Sequence, residues 1–317
     1  MTEKPLISII VPVFNEVDNI VPLYDRVTSV IAGLTDAYDF EIVITDNHST
    51  DGSFQILENL AAGDLKVRVF RFSKNFGYQR SILTGYMKSR GDAVIQLDCD
   101  LQDPPEMIPE FLALFEKGHD VVYGIRRTRQ EGPVINALRS AFYRLIDRLA
   151  EDQLPHHAGD FRLVSRRVVS ALEETDDCQP YLRGMIAAIG FNQTGIPYDR
   201  AKRERGESKF SFAQLLSLAL DGILYHSVVP LRVAILAALA MATITFIGIV
   251  IYFVGNLMYG QAWPAGFATT TILILFSITL NALFLGIIGE YLGRIYQQVK
   301  KRPASIIEKT LNDDSSR

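Results

Sequence analysis

The chain has 317 residues, with 32 Lys+Arg against 36 Asp+Glu and a formal net charge of -4. This mildly acidic balance disfavours a nucleic-acid binder, which needs a positive face, and 48% hydrophobic against 21% charged residues excludes a disordered chain. Two cysteines, Cys99 and Cys178, cannot make a disulfide framework, and no CxxC stands for zinc.

Residues 1–5 carry no leader pattern and run directly into an apolar segment. Apolar runs at 6–11, 40–45, 67–72, 93–97 and 120–124 read as strands. Helical patterns fall between them. Residues 17–34 place Ile20, Leu23, Val27, Ile31 and Leu34 on one face, and 52–62, 78–90 and 105–116 are similar, with Pro105 suited to a helix start. Strand–helix alternation predicts a mostly parallel α/β sheet covered on both faces. Such sheets bind ligands beyond the carboxyl ends of their strands.

Three of those ends carry carboxylates: Pro12-Val13-Phe14-Asn15-Glu16, Asp46-Asn47-His48-Ser49-Thr50-Asp51-Gly52-Ser53 and Asp98-Cys99-Asp100-Leu101-Gln102-Asp103. The sequences GxGxxG and GxxxxGK[ST] are both absent, so neither a dinucleotide fingerprint nor a P-loop is supported. Asp98 and Asp100 can hold a divalent cation through oxygen, and Gln102 can add a neutral ligand; Mg2+ held this way keeps waters and bridges substrate phosphates. Solvated turn carboxylates are the alternative. The five histidines form no ligand set; His156-His157 lacks the HExxH spacing.

Residues 134–150 place Leu138, Phe142, Leu145 and Leu149 on one face with Arg139, Arg144 and Arg148 elsewhere, and 209–224 place Phe212, Leu215, Leu216, Ala219 and Ile223 together. Both fit amphipathic helices lying in a membrane interface, or packing against the core or another subunit. Between Arg232 and Glu290 no residue is charged. A bilayer span needs about 20 apolar residues, so this stretch accommodates two, expected at 229–254 and 266–289. Positive residues flank both outer ends, at Arg232 and at Arg294, Lys300, Lys301 and Arg302, and the link has none. Both ends are therefore expected on the cytoplasmic side.

Together PVFNE, DNHSTDGS, DCDLQDPPE, GDFRL and RGESKF resemble glycosyltransferase family 2, more narrowly its polyprenyl-phosphate branch, which includes dolichol-phosphate mannosyltransferases and bacterial bactoprenol glucosyltransferases. The likeness runs from about residue 5 to 212. The tail Ile288-Gly289-Glu290-Tyr291-Leu292-Gly293-Arg294-Ile295-Tyr296 also looks like the bacterial two-span members. One departure is visible: the second motif commonly reads DDGS, and here it is Asp46-Asn47-His48-Ser49.

The resemblance implies a GT-A-like, Rossmann-like catalytic domain at 1–208, a juxtamembrane helix at 209–228, the two-helix hairpin and a cytoplasmic tail at 290–317. It implies that Pro12, Phe14, Glu16 and Asp46 hold base and ribose, and that Asp98 faces the nucleotide-sugar. Asp100, Gln102 and Asp98 would ligate Mg2+ or Mn2+, while Arg203 and Lys209 close over the diphosphate. Arg126, Arg139 and Arg162 would meet the acceptor phosphate. Asp160 matches the position where many relatives carry a base. A polyprenyl phosphate has a second pKa of about 6 and needs little help to attack, so Asp160 is equally open to orienting the acceptor, holding Arg162 or managing the metal.

The implied reaction is inverting hexose transfer, glucose from UDP-glucose, onto polyprenyl phosphate at the inner membrane, by a homo-oligomer expected to be a tetramer. Other donors (GDP-mannose, a UDP-amino-arabinose derivative) and a non-enzymatic scaffold or flippase subunit remain alternatives. A processive synthase is disfavoured: its QxxRW motif needs a tryptophan, and Trp263 in the apolar link is the only one.

Overall fold

The computed structural model describes residues 4–127, 158–175, 180–200, 229–259 and 266–313. Its first half alternates β1 (Leu6–Val13), α1 (Ile20–Ala32), β2 (Asp39–Asp46), α2 (Ser53–Gly63), β3 (Val67–Phe72), α3 (Tyr78–Lys88), β4 (Ala93–Gln96), a short 3-10 turn, α4 (Ile108–Glu116) and β5 (Val121–Arg126). Then come β6 (Ala158–Ser165), α5 (Arg166–Glu174), α6 (Leu182–Ile189), β7 (Gln193–Tyr198), α7 (Val229–Tyr259), α8 (Phe267–Val299) and β8 (Ile307–Leu311).

The five expected strands and the four helices between them are all present. Each strand is an apolar run because helices cover both faces of the sheet. α1 shows the helical spacing directly: Ile20, Leu23, Val27 and Ile31 are buried, and Gly33 caps the end before Leu34.

The eight strands lie in the order β7-β5-β6-β4-β1-β2-β3-β8. β1, β2, β3 and β4 are mutually parallel. β6 runs antiparallel between β4 and β5, pairing Gln96 with Arg162 and Tyr123 with Arg162. The start of β6 therefore lies beside the carboxyl ends of β4 and β5, and this reversal carries Asp160 to the same edge as Asp98. β7 is parallel to β5 and brings Tyr198 opposite Arg126. Gly124 fits against the Tyr198 ring so closely that an added Cβ would lie 2.6 Å from it.

The chain separates into two compact units. The first comprises residues 1–147, 152–209 and 301–317; the second comprises 148–151 and 210–300. Within the second, α7 and α8 contain two stretches long and apolar enough to cross a membrane, Ala234–Gly255 and Phe276–Gly293. Their apolar side chains, such as Leu236, Phe246, Phe253, Leu273 and Leu285, are exposed. A soluble core helix would bury them. The residues after α8 rejoin the first unit, where β8 pairs antiparallel with β3 as the last strand of the sheet. The amphipathic segments expected at 134–150 and 209–228, with Arg139, Arg203 and Lys209, lie outside the described residues.

Candidate active site

The three motif loops meet at the carboxyl edge of the sheet, where β1 ends at Val13 opposite Asp46, the last residue of β2. Backbone and side-chain hydrogen bonds lace the first two loops together. The Asn15 N–H donates to Ser49 Oγ at 3.0 Å, Thr50 N–H to Asn15 Oδ1 at 2.8 Å, and Glu16 N–H to Ser53 Oγ at 3.0 Å. Asp51 accepts from Ser53 and from the Val17 N–H at 3.2 Å. Burial opposes its charge, but these donors outweigh that and hold its carboxyl below the usual range.

Pro12 is buried in β1, whereas Phe14 projects with 45% of its surface exposed. A large exposed aromatic beside a carboxylate-rich edge offers a flat face to a planar base. Glu16 accepts from Asn19 Nδ2 at 2.6 Å. Asp46 differs from expectation in its setting. It is 0% exposed, its Oδ1 accepts the Ser49 N–H at 3.1 Å, and its Oδ2 makes no hydrogen bond. As found, it holds its own loop rather than presenting a face to solvent.

Asp98, Asp100 and Asp103 form the densest charge at this edge. Burial first, then the charges of Asp103, Asp160 and Asp100, push the Asp98 carboxyl up to about 7. Its Oδ1 accepts from the Tyr78 phenol at 2.5 Å. Arg200, just after β7, lies over the group. Its Nη2 is 3.6 Å from Asp100 and 4.0 Å from Asp98, and its Nε donates to Asp103 Oδ1 at 3.2 Å. Asp103 also accepts from the Tyr198 phenol.

Among the described residues, no three His, Cys, Asp or Glu side chains are gathered as a ready-made metal cage. Two carboxylates that share one guanidinium nitrogen nevertheless fit a hard divalent cation, because they are oxygen donors that draw positive charge. Asp98 and Asp100 would hold it, with waters and substrate phosphates completing the shell. Gln102 donates its backbone N–H to Asp100 Oδ1 at 3.2 Å.

Asp160 is brought to this cluster by β6 and is taken up by Arg183, on α6. Arg183 donates from Nε at 2.7 Å and from Nη2 at 2.5 Å. Burial opposes the charged form of Asp160, but those bonds and the charges of Arg183, Arg162 and Arg126 hold it below the usual carboxylate range. Arg162 is buried at 4% exposure with Nη2 on the Gly159 carbonyl at 2.8 Å, so it acts here as an internal counter-charge. Arg126 is partly open and donates from Nε to the Tyr198 hydroxyl at 3.4 Å.

Tyr78, Arg183, Tyr198 and Arg200 were not singled out from the sequence as individual site residues. Only Arg200 had a signal, as one of five positive residues within 199–209.

The mostly parallel α/β sheet is GT-A-like, with an acidic carboxyl edge. The profile of Glycosyl transferase family 2 matches residues 8–172. The chain belongs to that family and is a glycosyltransferase. It is 35% identical over 312 residues to an uncharacterized glycosyltransferase of Bacillus subtilis (strain 168), spanning 98% of this chain and 95% of that one. It is 34% identical over 305 residues to the bactoprenol glucosyl transferase of Shigella phage SfII, spanning 96% and 98%. Among solved structures, a mannosyltransferase from Pyrobaculum calidifontis in complex with GDP-Man and Mn2+ aligns with TM-score 0.45 and 17% identity, over 90% of this chain and 88% of that one.

Proposed function

We propose that this protein transfers a hexose, glucose from UDP-glucose, to polyprenyl phosphate at the cytoplasmic face of a membrane, with inversion and with a divalent cation. The observation that carries the reading is the acidic cluster of Asp98, Asp100 and Asp103 bridged by Arg200 at the edge where the donor loops end. The likeness of nearly the whole chain to a bactoprenol glucosyl transferase supports the acceptor and the sugar.

The donor would lie with its base against Phe14 and its diphosphate over Asp98 and Asp100. When bound, Mg2+ or Mn2+ would neutralise charge on the leaving diphosphate. Arg200 would give up its bridging position and, with Arg203 and Lys209, turn its charge toward the phosphates. An oxygen of the acceptor phosphate attacks the anomeric carbon as the bond to the UDP oxygen breaks. UDP departs with the bonding electrons, and one displacement inverts the centre. No proton need be removed, because a phosphate monoester is already largely dianionic at neutral pH. Asp160, spanned by Arg183, is suited to positioning that arginine and Arg126 toward an anion rather than to general-base work.

The path of the chain supports the membrane reading. It leaves the catalytic unit after residue 209 and returns at 301 to add β8 to the same sheet. Membrane crossings between those points must be even in number, and α7 with α8 supply two. The charge-free stretches would form the hairpin, and the basic flanks support a cytoplasmic side for the catalytic unit. Homo-oligomerisation, with four copies, would enlarge an otherwise small membrane anchor. Incorporation of labelled glucose from UDP-glucose into a lipid product, compared with other nucleotide-sugars, tests the reading.

A further inference from the structure

The strand that follows the membrane helices also reaches the donor loops. β8 pairs Arg71 with Lys309 and Phe72 with Ile307, so Glu308 is the extra residue of a bulge. A bulge turns its unpaired side chain away from the regular alternation. Here the Glu308 carboxylate comes within 3.7 Å of Arg71 Nε and 3.6 Å of His48 Nδ1.

Both partners belong to the donor side. Arg71 stacks on Phe54 at 4.2 Å, and its Nε lies 3.7 Å from the otherwise unbonded Oδ2 of buried Asp46. Asp46 in turn fixes Ser49, whose hydroxyl holds the Asn15 N–H beside Phe14. His48 is one of the two residues, with Asn47, that depart from the DDGS pattern. It occupies φ 64°, where glycine is the easy residue, and its Nδ1 donates to the Phe72 carbonyl at 3.0 Å. The imidazole therefore ties the loop to β3 through Phe72 and faces the last strand of the sheet through Glu308.

We propose that Glu308 is a positioning residue for nucleotide binding, acting through Arg71 and His48 to set the 46–50 loop and, through it, the base pocket at Phe14. This rests on the reading of that edge as the donor site. Because Glu308 and His48 are substantially solvent-open, the pair adds little to global stability. Its effect belongs in donor affinity.

The test is calorimetric titration of UDP with Mn2+ into the full-length protein in detergent, with donor and acceptor kinetics alongside. Glu308→Ala is expected to weaken UDP binding and raise the donor KM by about five-fold, the factor equivalent to the upper end of an exposed ion pair. The acceptor KM and kcat should stay within about two-fold. Glu308→Gln should fall between wild type and Glu308→Ala. His48→Gly relieves the backbone but also removes the imidazole and its hydrogen bond to the Phe72 carbonyl, so it should weaken UDP with thermal stability changed only slightly. The double variant should be no worse than Glu308→Ala, since both act through one path. A purely structural role would lower Tm and leave the UDP affinity of the folded fraction unchanged. Unchanged UDP affinity in both Glu308→Ala and His48→Gly overturns the proposal while leaving the donor site standing. Failure of wild type to bind UDP overturns both.

Discussion

Arg183 grips Asp160 through two parallel hydrogen bonds, Nε to Oδ1 at 2.7 Å and Nη2 to Oδ2 at 2.5 Å. A carboxylate held by a paired guanidinium resists protonation and is a poor proton acceptor. This pairing fits the proposal that Asp160 anchors Arg183 rather than taking a proton from the acceptor.

Removing that anchor should cost stability. Asp160→Asn leaves Arg183 without its counter-charge. The loss is expected to be about 2 kcal/mol, below that of a fully buried pair because the Arg183 side chain keeps 35% exposure. The folded carboxyl is depressed, so its contribution is complete above the ordinary Asp range and is lost as pH falls through the lowered value. Denaturant unfolding of wild type and Asp160→Asn should show a gap that is still present at about pH 5 and is lost only below about pH 4. A gap that closes near neutrality contradicts the pairing.

Asp98 should behave oppositely. Its folded value is raised to about 7, chiefly by burial, so without a cation its contribution to stability falls as pH rises from the ordinary Asp range through 7. A divalent cation competes with that proton. The rise in Tm produced by Mn2+ should therefore be larger at about pH 8 than at about pH 6, and Asp98→Asn should abolish the difference. Arg200→Ala should strengthen Mn2+ binding in the absence of donor, because a guanidinium 3.6 Å from Asp100 no longer competes. Calorimetry with Mn2+ alone reads this directly; weaker binding in the variant would mean that Arg200 supports the ion instead.

Much of this was legible from residue pattern, and the limits were physical. The five apolar strands show themselves because a covered sheet demands continuous apolar runs, and α1 because its buried face repeats at helical spacing. β6, β7 and β8 lack that signature. β6 carries buried Asp160 and Arg162, β7 contains Gly195 and Pro197, and β8 is a short edge strand, IEKTL. Asp98 and Asp100 could be read as a pair because they are neighbours in sequence. The partners that decide their behaviour, Tyr78 at the start of α3 and Arg200 just after β7, are distant in sequence and meet them only through the tertiary arrangement, which local periodicity does not record.

The terminal strand gives a further prediction. Asp313 Oδ1 accepts from Arg68 Nη2 and from Arg90 Nη2, each at 2.7 Å, while Arg68 Nη1 holds Glu41 at 2.8 Å. The Arg68 and Asp313 side chains are both buried. Asp313→Ala should destabilise the catalytic unit by about 2 kcal/mol, because Arg68 keeps only one of its two carboxylates. Thermal unfolding of the full-length protein checks this, and no change in Tm would mean that the chain beyond α8 is not part of the sheet.

The central claim is tested most directly by sugar transfer with purified protein in detergent, undecaprenyl phosphate and Mn2+, using radiolabelled UDP-glucose beside other UDP- and GDP-sugars. Label should pass from UDP-glucose into an organic-extractable product, and Asp100→Asn should reduce the rate by at least about a hundred-fold, as loss of a group stabilising charge in the transition state does. Folded protein that yields no lipid-linked sugar from any donor would contradict the account.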